Sequence, residues 1–157
     1  MSTSLRQQIF SAVETRFKNI LIANGYQTNI GNAVLEWRNY VGVTIPEFPC
    51  IIIGDTKEES NIKGIGTASN QERTLTINYT IMNTGTDPVA IITALRQMKA
   101  DMEQAILVDV KWGQLALMTT PKSDEMGFDD KVTSNLVGAI NGTFEIIYRT
   151  GFWNSYQ

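Results

Sequence analysis

Arg73-Thr74-Leu75-Thr76-Ile77-Asn78-Tyr79-Thr80-Ile81-Met82-Asn83 alternates apolar and polar residues. Successive side chains of a strand point to opposite faces, so Leu75, Ile77, Tyr79 and Ile81 share one side and Thr74, Thr76, Asn78 and Thr80 the other. That pattern predicts a strand with one buried face and one face that is solvated or meets a partner. Gly85 breaks it. Asp87 then suits a helix N-cap and Pro88 the first helical position. From about Asp87 to Ile106, the residues Ile91, Ile92, Leu95, Met98, Met102 and Ile106 recur at helical spacing and predict a buried stripe. The methionines read as adaptable core filler.

Upstream, Leu5, Ile9, Val13, Phe17, Ile20 and Leu21 place a second amphipathic helix over about Ser4 to Asn24. Ser4 is its expected cap, Gln7 a capping-box partner, and Gly25 its terminator. Its stripe reads as a core face, or more sharply as the face offered to a partner. Ala33, Leu35 and Trp37 point one way and Glu36 and Arg38 the other, which predicts a half-buried strand. Ile45-Pro46-Glu47-Phe48-Pro49 is a connection, and Cys50 to Gly54 a strand buried on both faces.

Asp55 to Glu72 is polar and glycine-containing, longer than an ordinary connection, and reads as a functional or mobile loop. The alternative is that its flanks extend as a hairpin arm. Gly64-Ile65-Gly66 lacks the partners of a phosphate-binding loop. Val108 to Trp112 precedes a strand expected at Leu115 to Thr119. Pro121 to Lys131 reads as a solvated acidic loop, since its carboxylates lack Ca²⁺-loop spacing. From Leu136 the even positions Gly138, Ile140, Gly142, Phe144, Ile146 and Tyr148 form one face of a long strand, with Gly138 and Gly142 expected at a bend or bulge. Phe152, Trp153 and Tyr156 make an aromatic tail that either tucks back or docks on a neighbour.

The 157 residues fit one domain, residues 1–157, with a mobile loop at about 57–71 and the tail at 151–157. Two helices and several strands in mostly sequential order predict an α+β fold, a mostly antiparallel sheet with both amphipathic helices packed on one face.

The chain has no histidine, the commonest general acid–base and metal ligand. Carboxylates, lysine or tyrosine could still support an enzyme, but the carboxylates fall mostly in polar stretches. The expectation is a protein that binds or assembles, with no catalytic residue, cofactor or metal. Cys50, the single cysteine, sits among apolar neighbours and is expected to be an inert core thiol in a reducing compartment. Charged residues make up 18%, below the usual ~25%, which fits a surface partly covered by other subunits or simply one rich in Asn, Thr and Gln. The net charge of −3 argues against a dedicated nucleic-acid binder. No signal peptide or membrane span is read, and the sequons at Asn78 and Asn141 are taken as accidental.

The order of elements resembles the tail terminator (tail completion) proteins of tailed bacteriophages. The likeness rests on the helix from Leu5 to Ile22, the Phe48-Pro49-Cys50-Ile51-Ile52-Ile53 entry into a central strand, the strand Leu75 to Ile81 leading to Asp87-Pro88, and the glycine-containing strand Leu136 to Tyr148. It covers nearly the whole chain, through patterns of element type. The resemblance implies a virion subunit of the tail or neck, assembled in the host cytoplasm. It would form a homo-oligomeric, usually hexameric, ring that caps the tail tube. Its partners would be the tube protein, the sheath protein in contractile tails and a head-completion protein, with DNA passing through the lumen and no membrane. A head–tail connector or neck adaptor of similar fold is the alternative. The candidate intersubunit or tube contacts are Lys57, Glu58, Glu59, Lys63, Arg73, Phe152, Trp153 and Tyr156. Asp124, Glu125, Asp129 and Asp130 are the candidate lumen-facing acidic loop.

Overall fold

Strands β1 (Val34–Glu36), β2 (Cys50–Lys63), β3 (Asn70–Gly85), β4 (Met118–Asp129) and β5 (Leu136–Gly151) form one sheet in the order β1-β2-β3-β5-β4. The computed structural model describes residues 2–36, 47–63, 70–129, 135–151 and 154–156. Only β1 and β2 run parallel; every other neighbouring pair is antiparallel. Helices α1 (Leu5–Lys18) and α2 (Pro88–Leu107) complete the α+β fold.

β3 behaves as its alternation predicts. Leu75, Ile77, Tyr79 and Ile81 are buried. In register beside them lie Ile51 and Ile53 of β2 and Ile140, Phe144 and Ile146 of β5. These residues join Ile9, Phe10, Val13 and Phe17 of α1 and Ile91, Leu95, Met98 and Met102 of α2 in one core. Burying each such side chain contributes roughly 1.5–3 kcal/mol. Cys50 and Ile52 are buried as well, so the start of β2 is covered on both faces, as its apolar run suggests.

The strands do not follow one another in sequential hairpin order. After β3 the chain passes through α2 to the far edge, and β5 returns between β3 and β4. Composition explains the choice. β5 presents an unbroken apolar face and takes the interior, whereas β4 carries Pro121 and charged side chains suited to an edge. β4 begins at Met118 and continues to Asp129, so the acidic stretch expected as a loop from Pro121 is an edge strand, and Leu115 lies in a turn before it. Its pairing with β5 slips between Pro121 and Asp124, which absorbs the proline as a bulge.

The stretch expected as a mobile loop at about 57–71 is strand at both ends. Lys57–Lys63 pairs with Asn70–Thr76 as the alternative hairpin arm, and β5 backs that arm as far as Gly151. Residues 64–69 lie outside the described residues.

α1 starts where expected, with the Gln7 amide donating to Ser4 Oγ. Gln7 does not close a capping box; its side chain donates to Ser11 Oγ instead. The helix stops at Lys18, and Ile22–Asn24 forms a separate 3-10 turn that ends at Gly25 with φ +92°. On β1 the buried residue is Val34, opposite Ile51, and not Leu35. The preceding residues Ile30–Ala33 are a 3-10 turn, so the strand's alternation begins at Val34. Trp37, Arg38, Ile45 and Pro46 lie outside the described residues.

α2 is capped by Asp87, which accepts from the Val89 amide, with Pro88 at the first position. Ile92 and Ile106 are only half-buried, and the stripe instead includes Asp101, 2% exposed. Asp101 accepts from the Gln27 amide at 3.1 Å, the Thr28 amide at 2.7 Å and the Thr28 hydroxyl at 2.6 Å. A buried carboxylate held this way is compensated, and it ties the chain after α1 to the middle of α2.

Candidate functional site

The outer half of β2 contains Lys57, Glu58, Glu59 and Lys63, half of the expected contact residues, and strand alternation separates them. A bulge between Asp55 and Lys57 resets the register. Asp55, at the bulge, is held by Arg6 of α1 through its carboxylate at 2.6 Å and its carbonyl at 2.9 Å. Beyond it, Lys57 and Glu59 project from the outer face and pair at 2.5 Å, both well exposed. Glu58 faces the other way. Its carboxylate accepts from the Tyr148 hydroxyl and from Arg73 Nη1 at 3.2 Å, while Arg73 Nη2 donates to Gln71 at 3.1 Å. Glu58 and Arg73 side chains are only 15% and 11% exposed. Burial, and then the bond to Glu58, push the Tyr148 phenol well above its usual pKa. These two residues therefore brace the arm from within, and Lys57 and Glu59 are the pair a neighbour could reach. Lys63 ends β2 opposite Asn70.

The outer face of the sheet is the one away from α1 and α2. It presents Thr74, Thr76, Asn78 and Thr80 of β3 beside Asn141, Thr143 and Glu145 of β5. Two ion pairs cross it: Lys122 to Glu145 at 3.0 Å and Arg149 to Glu72 at 3.4 Å. A hollow of about 480 Å³ opens over this face where β4 bulges, lined by Asn78, Thr80, Ser123, Glu125, Asn141 and Thr143 among others. The Thr80 hydroxyl donates to Asn141 Oδ1 at 2.7 Å across its floor.

The acidic candidates do not act as one group. Asp124 binds Lys99 of α2 at 2.7 Å, and Lys99 also reaches Glu103 at 2.9 Å. The hydrogen bonds to Asp124 and to Glu103 raise the Lys99 pKa. Asp124 is thus largely neutralised locally. Glu125, the next residue, is exposed and lies opposite Asn141. Asp129 is the last residue of β4, opposite Val137, and Asp130 lies outside the described residues.

Sequence reasoning missed an apolar groove of about 310 Å³ between the end of α2 and the start of β4, lined by Ile106, Leu107, Val110, Pro121 and Phe144. Leu107, Val108, Leu117 and Met118 are exposed nearby in the chain. The signal lies in apolar residues outside the helical stripe, Leu107, Val108 and Val110, at the junction between the helix and the strand that follows. The turn between them is anchored by Trp112, 2% exposed, with Arg16 stacked 3.9 Å from its ring centre and its indole N–H donating to Thr119 at 2.7 Å. Asp109 caps this turn by accepting from the Gly113 and Lys111 amides, which lower its pKa.

The end of the chain turns back. The Leu5 amide donates to the Ser155 carbonyl at 2.9 Å, so the tail meets the start of α1. Tyr156 remains 57% exposed there, and Phe152 and Trp153 lie outside the described residues. Cys50 is fully buried, and burial raises its thiol pKa to about 11. Among the described residues no group of His, Cys, Asp and Glu is arranged to hold a metal, and no helix is long and apolar enough to cross a membrane. No protein-family model and no curated protein sequence matches the chain.

Proposed function

We propose that the chain is a structural subunit of a phage tail, a tail-terminator-like protein. It would assemble into a ring, typically a hexamer, that caps the tail tube. The cap ends tube polymerisation, and sheath polymerisation where the tail is contractile, and it presents the surface that joins the head. Such a protein works in the virion by contact and not by turnover.

The observation that carries this reading is the one-sided build of the sheet. Both helices cover one face. The other face is left broad, rich in Thr and Asn, and crossed by the ion pairs Lys122–Glu145 and Arg149–Glu72. A polar, nearly neutral sheet surface suits a wall that duplex DNA passes without the counterion release that drives tight binding. The order of elements that resembles tail terminators is compatible with the α+β fold.

Electron microscopy of the purified protein tests the reading: rings are expected, and they should bind the ends of tail tubes. Particles made without the protein should carry tails of uncontrolled length. Finding it on tail-less heads, and absent from head-less tails, would transfer it to the connector or neck-adaptor class.

A further inference from the structure

β4 is the far edge of the sheet, and among the described residues it pairs with β5 alone. α2 lies over β3 and β5 and reaches β4 through the Lys99–Asp124 pair. Every residue from Pro121 to Phe128 is exposed, so neither face of this stretch nor its outer edge is covered. The apolar groove of about 310 Å³ runs along the start of β4, between Pro121 and the end of α2. Farther along the same strand, Met126 and Phe128 are exposed apolar side chains.

The register with β5 assigns the faces. Thr119 and Pro121 lie beside Ile146 and Phe144, and Met126 and Phe128 beside Ile140 and Gly138, so all four belong to the helix side. Lys122, bound to Glu145, and Glu125, opposite Asn141, belong to the outer side. The bulge between Pro121 and Asp124 resets the alternation, with odd residues on the helix side before it and even residues after it. One side of one strand thus carries an empty apolar groove at its start and two exposed apolar side chains near its end.

We propose that β4 pairs antiparallel with β4 of a second copy of this chain, about a two-fold axis perpendicular to the sheet, and that Met126 and Phe128 of each copy close the groove of the other. An open strand edge is a template for strand addition. A two-fold axis makes the contact self-complementary, and because the same strand meets itself any register is geometrically open. The side chains select one. With Lys122 opposite Glu125 of the second copy, Pro121 meets Met126 and Thr119 meets Phe128, all on the helix side. Thr120 then meets Gly127 on the outer side. The bulge makes this match possible, because odd residues of one run must face even residues of the other. Two symmetric Lys122–Glu125 pairs form, and Glu125 has no ion pair of its own among the described residues. Sliding the second copy by two residues loses the fit: in one direction Pro121 meets Asp124, in the other Lys122 meets Gly127. This contact is separate from the ring reading, since an isologous pair joins two copies and closes no larger ring.

Sedimentation of the full chain tests the pairing. A concentration-dependent dimer is expected, with the β4 amides exchanging with deuterium more slowly as it forms. Lys122→Glu and Glu125→Lys should each raise the dimer dissociation constant roughly tenfold, because both symmetric pairs become like charges. An equimolar mixture of these two variants should dimerise again, since every Glu then faces a Lys. Phe128→Ser should weaken the dimer at least as much by emptying the groove. A chain that stays monomeric at all concentrations would overturn the pairing. So would a dimer in which the mixture regains nothing and the β4 amides stay unprotected. Neither result bears on rings formed at tail tubes, which electron microscopy tests separately.

Discussion

The phenol ring of Tyr79 lies across Gly142 of the neighbouring strand, so close that a β-carbon on residue 142 would sit 2.4 Å from the Tyr79 hydroxyl oxygen and 2.5 Å from Cζ. The two residues are in register between β3 and β5. The ring fills the space the glycine leaves, an aromatic side chain shielding a strand glycine. Gly138 has a similar role: a β-carbon there would meet Ile91 at 2.6 Å and Leu95 at 3.0 Å, where α2 comes down on the sheet. Both positions are close approaches, and neither is the bend or bulge that two glycines in a strand suggest, since β5 pairs with β3 in unbroken register through both.

Gly142→Ala should therefore destabilise the fold by about 1–3 kcal/mol, the usual cost of overpacking. Urea denaturation measures it. Adding Tyr79→Val should recover part of that loss, because the two changes share one space. Strict additivity would mean that the tyrosine does not occupy it.

Asp101→Ala should cost about 2–4 kcal/mol, since it leaves the buried partners of a charged acceptor unmet. The Gln27 and Thr28 amides, which donate to this carboxylate, should also exchange with solvent deuterium faster. Unchanged exchange at those two amides would show that the carboxylate does not hold them.

Arg16→Met should weaken the turn around Trp112. The guanidinium sits 3.9 Å from the ring centre and donates to the Asp109 carbonyl at 2.5 Å. The loss should be about 0.5–2 kcal/mol, with a shift in tryptophan emission. Arg16→Lys should recover only part of it, because an ammonium cannot stack in the same way.

Alkaline pH should destabilise the protein. Burial raises the Cys50 thiol from an ordinary 9.0 to about 11, and burial with the Glu58 bond raises the Tyr148 phenol above its ordinary 10.0. A raised native pKa means that the unfolded chain loses its proton first. The stability is fully present below about pH 9 and falls as pH rises through the window up to the native value. Melting temperatures between pH 7 and 11 should show the decline beginning near 9. Cys50→Ala should delay its onset toward 10. The native thiol should also resist alkylation at pH 8 and react readily in denaturant.

Local pattern made much of the fold legible. The alternation from Arg73 to Asn83, the Asp87-Pro88 helix start and the Ser4 cap each depend on contacts within a few residues. They are written in the order of the chain and were met in the structure. The polar segments were harder. Lys57–Lys63 is mostly polar and read as a loop or a hairpin arm, and Asp124–Asp129, with only Met126 and Phe128 among charged neighbours, read as a loop; they become strands because β3 and β5 supply hydrogen-bonding edges. Glu58 and Arg73 look like surface charges in sequence, yet the bulge and the opposing Tyr148 turn them into a buried brace. Asp101 could be placed on the buried stripe of α2 from spacing, but its partners at Gln27 and Thr28 are far away in the chain and leave no local mark.

The sequence by itself determined the class of fold: two amphipathic helices on one side of a mostly antiparallel sheet, an apolar entry strand holding Cys50, and a side of the sheet built of threonine and asparagine. Periodicity and capping are local, and burial of the apolar faces forces them together. Only the tertiary structure decided the strand order, with β5 between β3 and β4. Strand pairing joins residues distant in the chain, and the backbone hydrogen bonds that make it are the same for every side chain. Which strands become neighbours is therefore settled by assembly of the whole sheet.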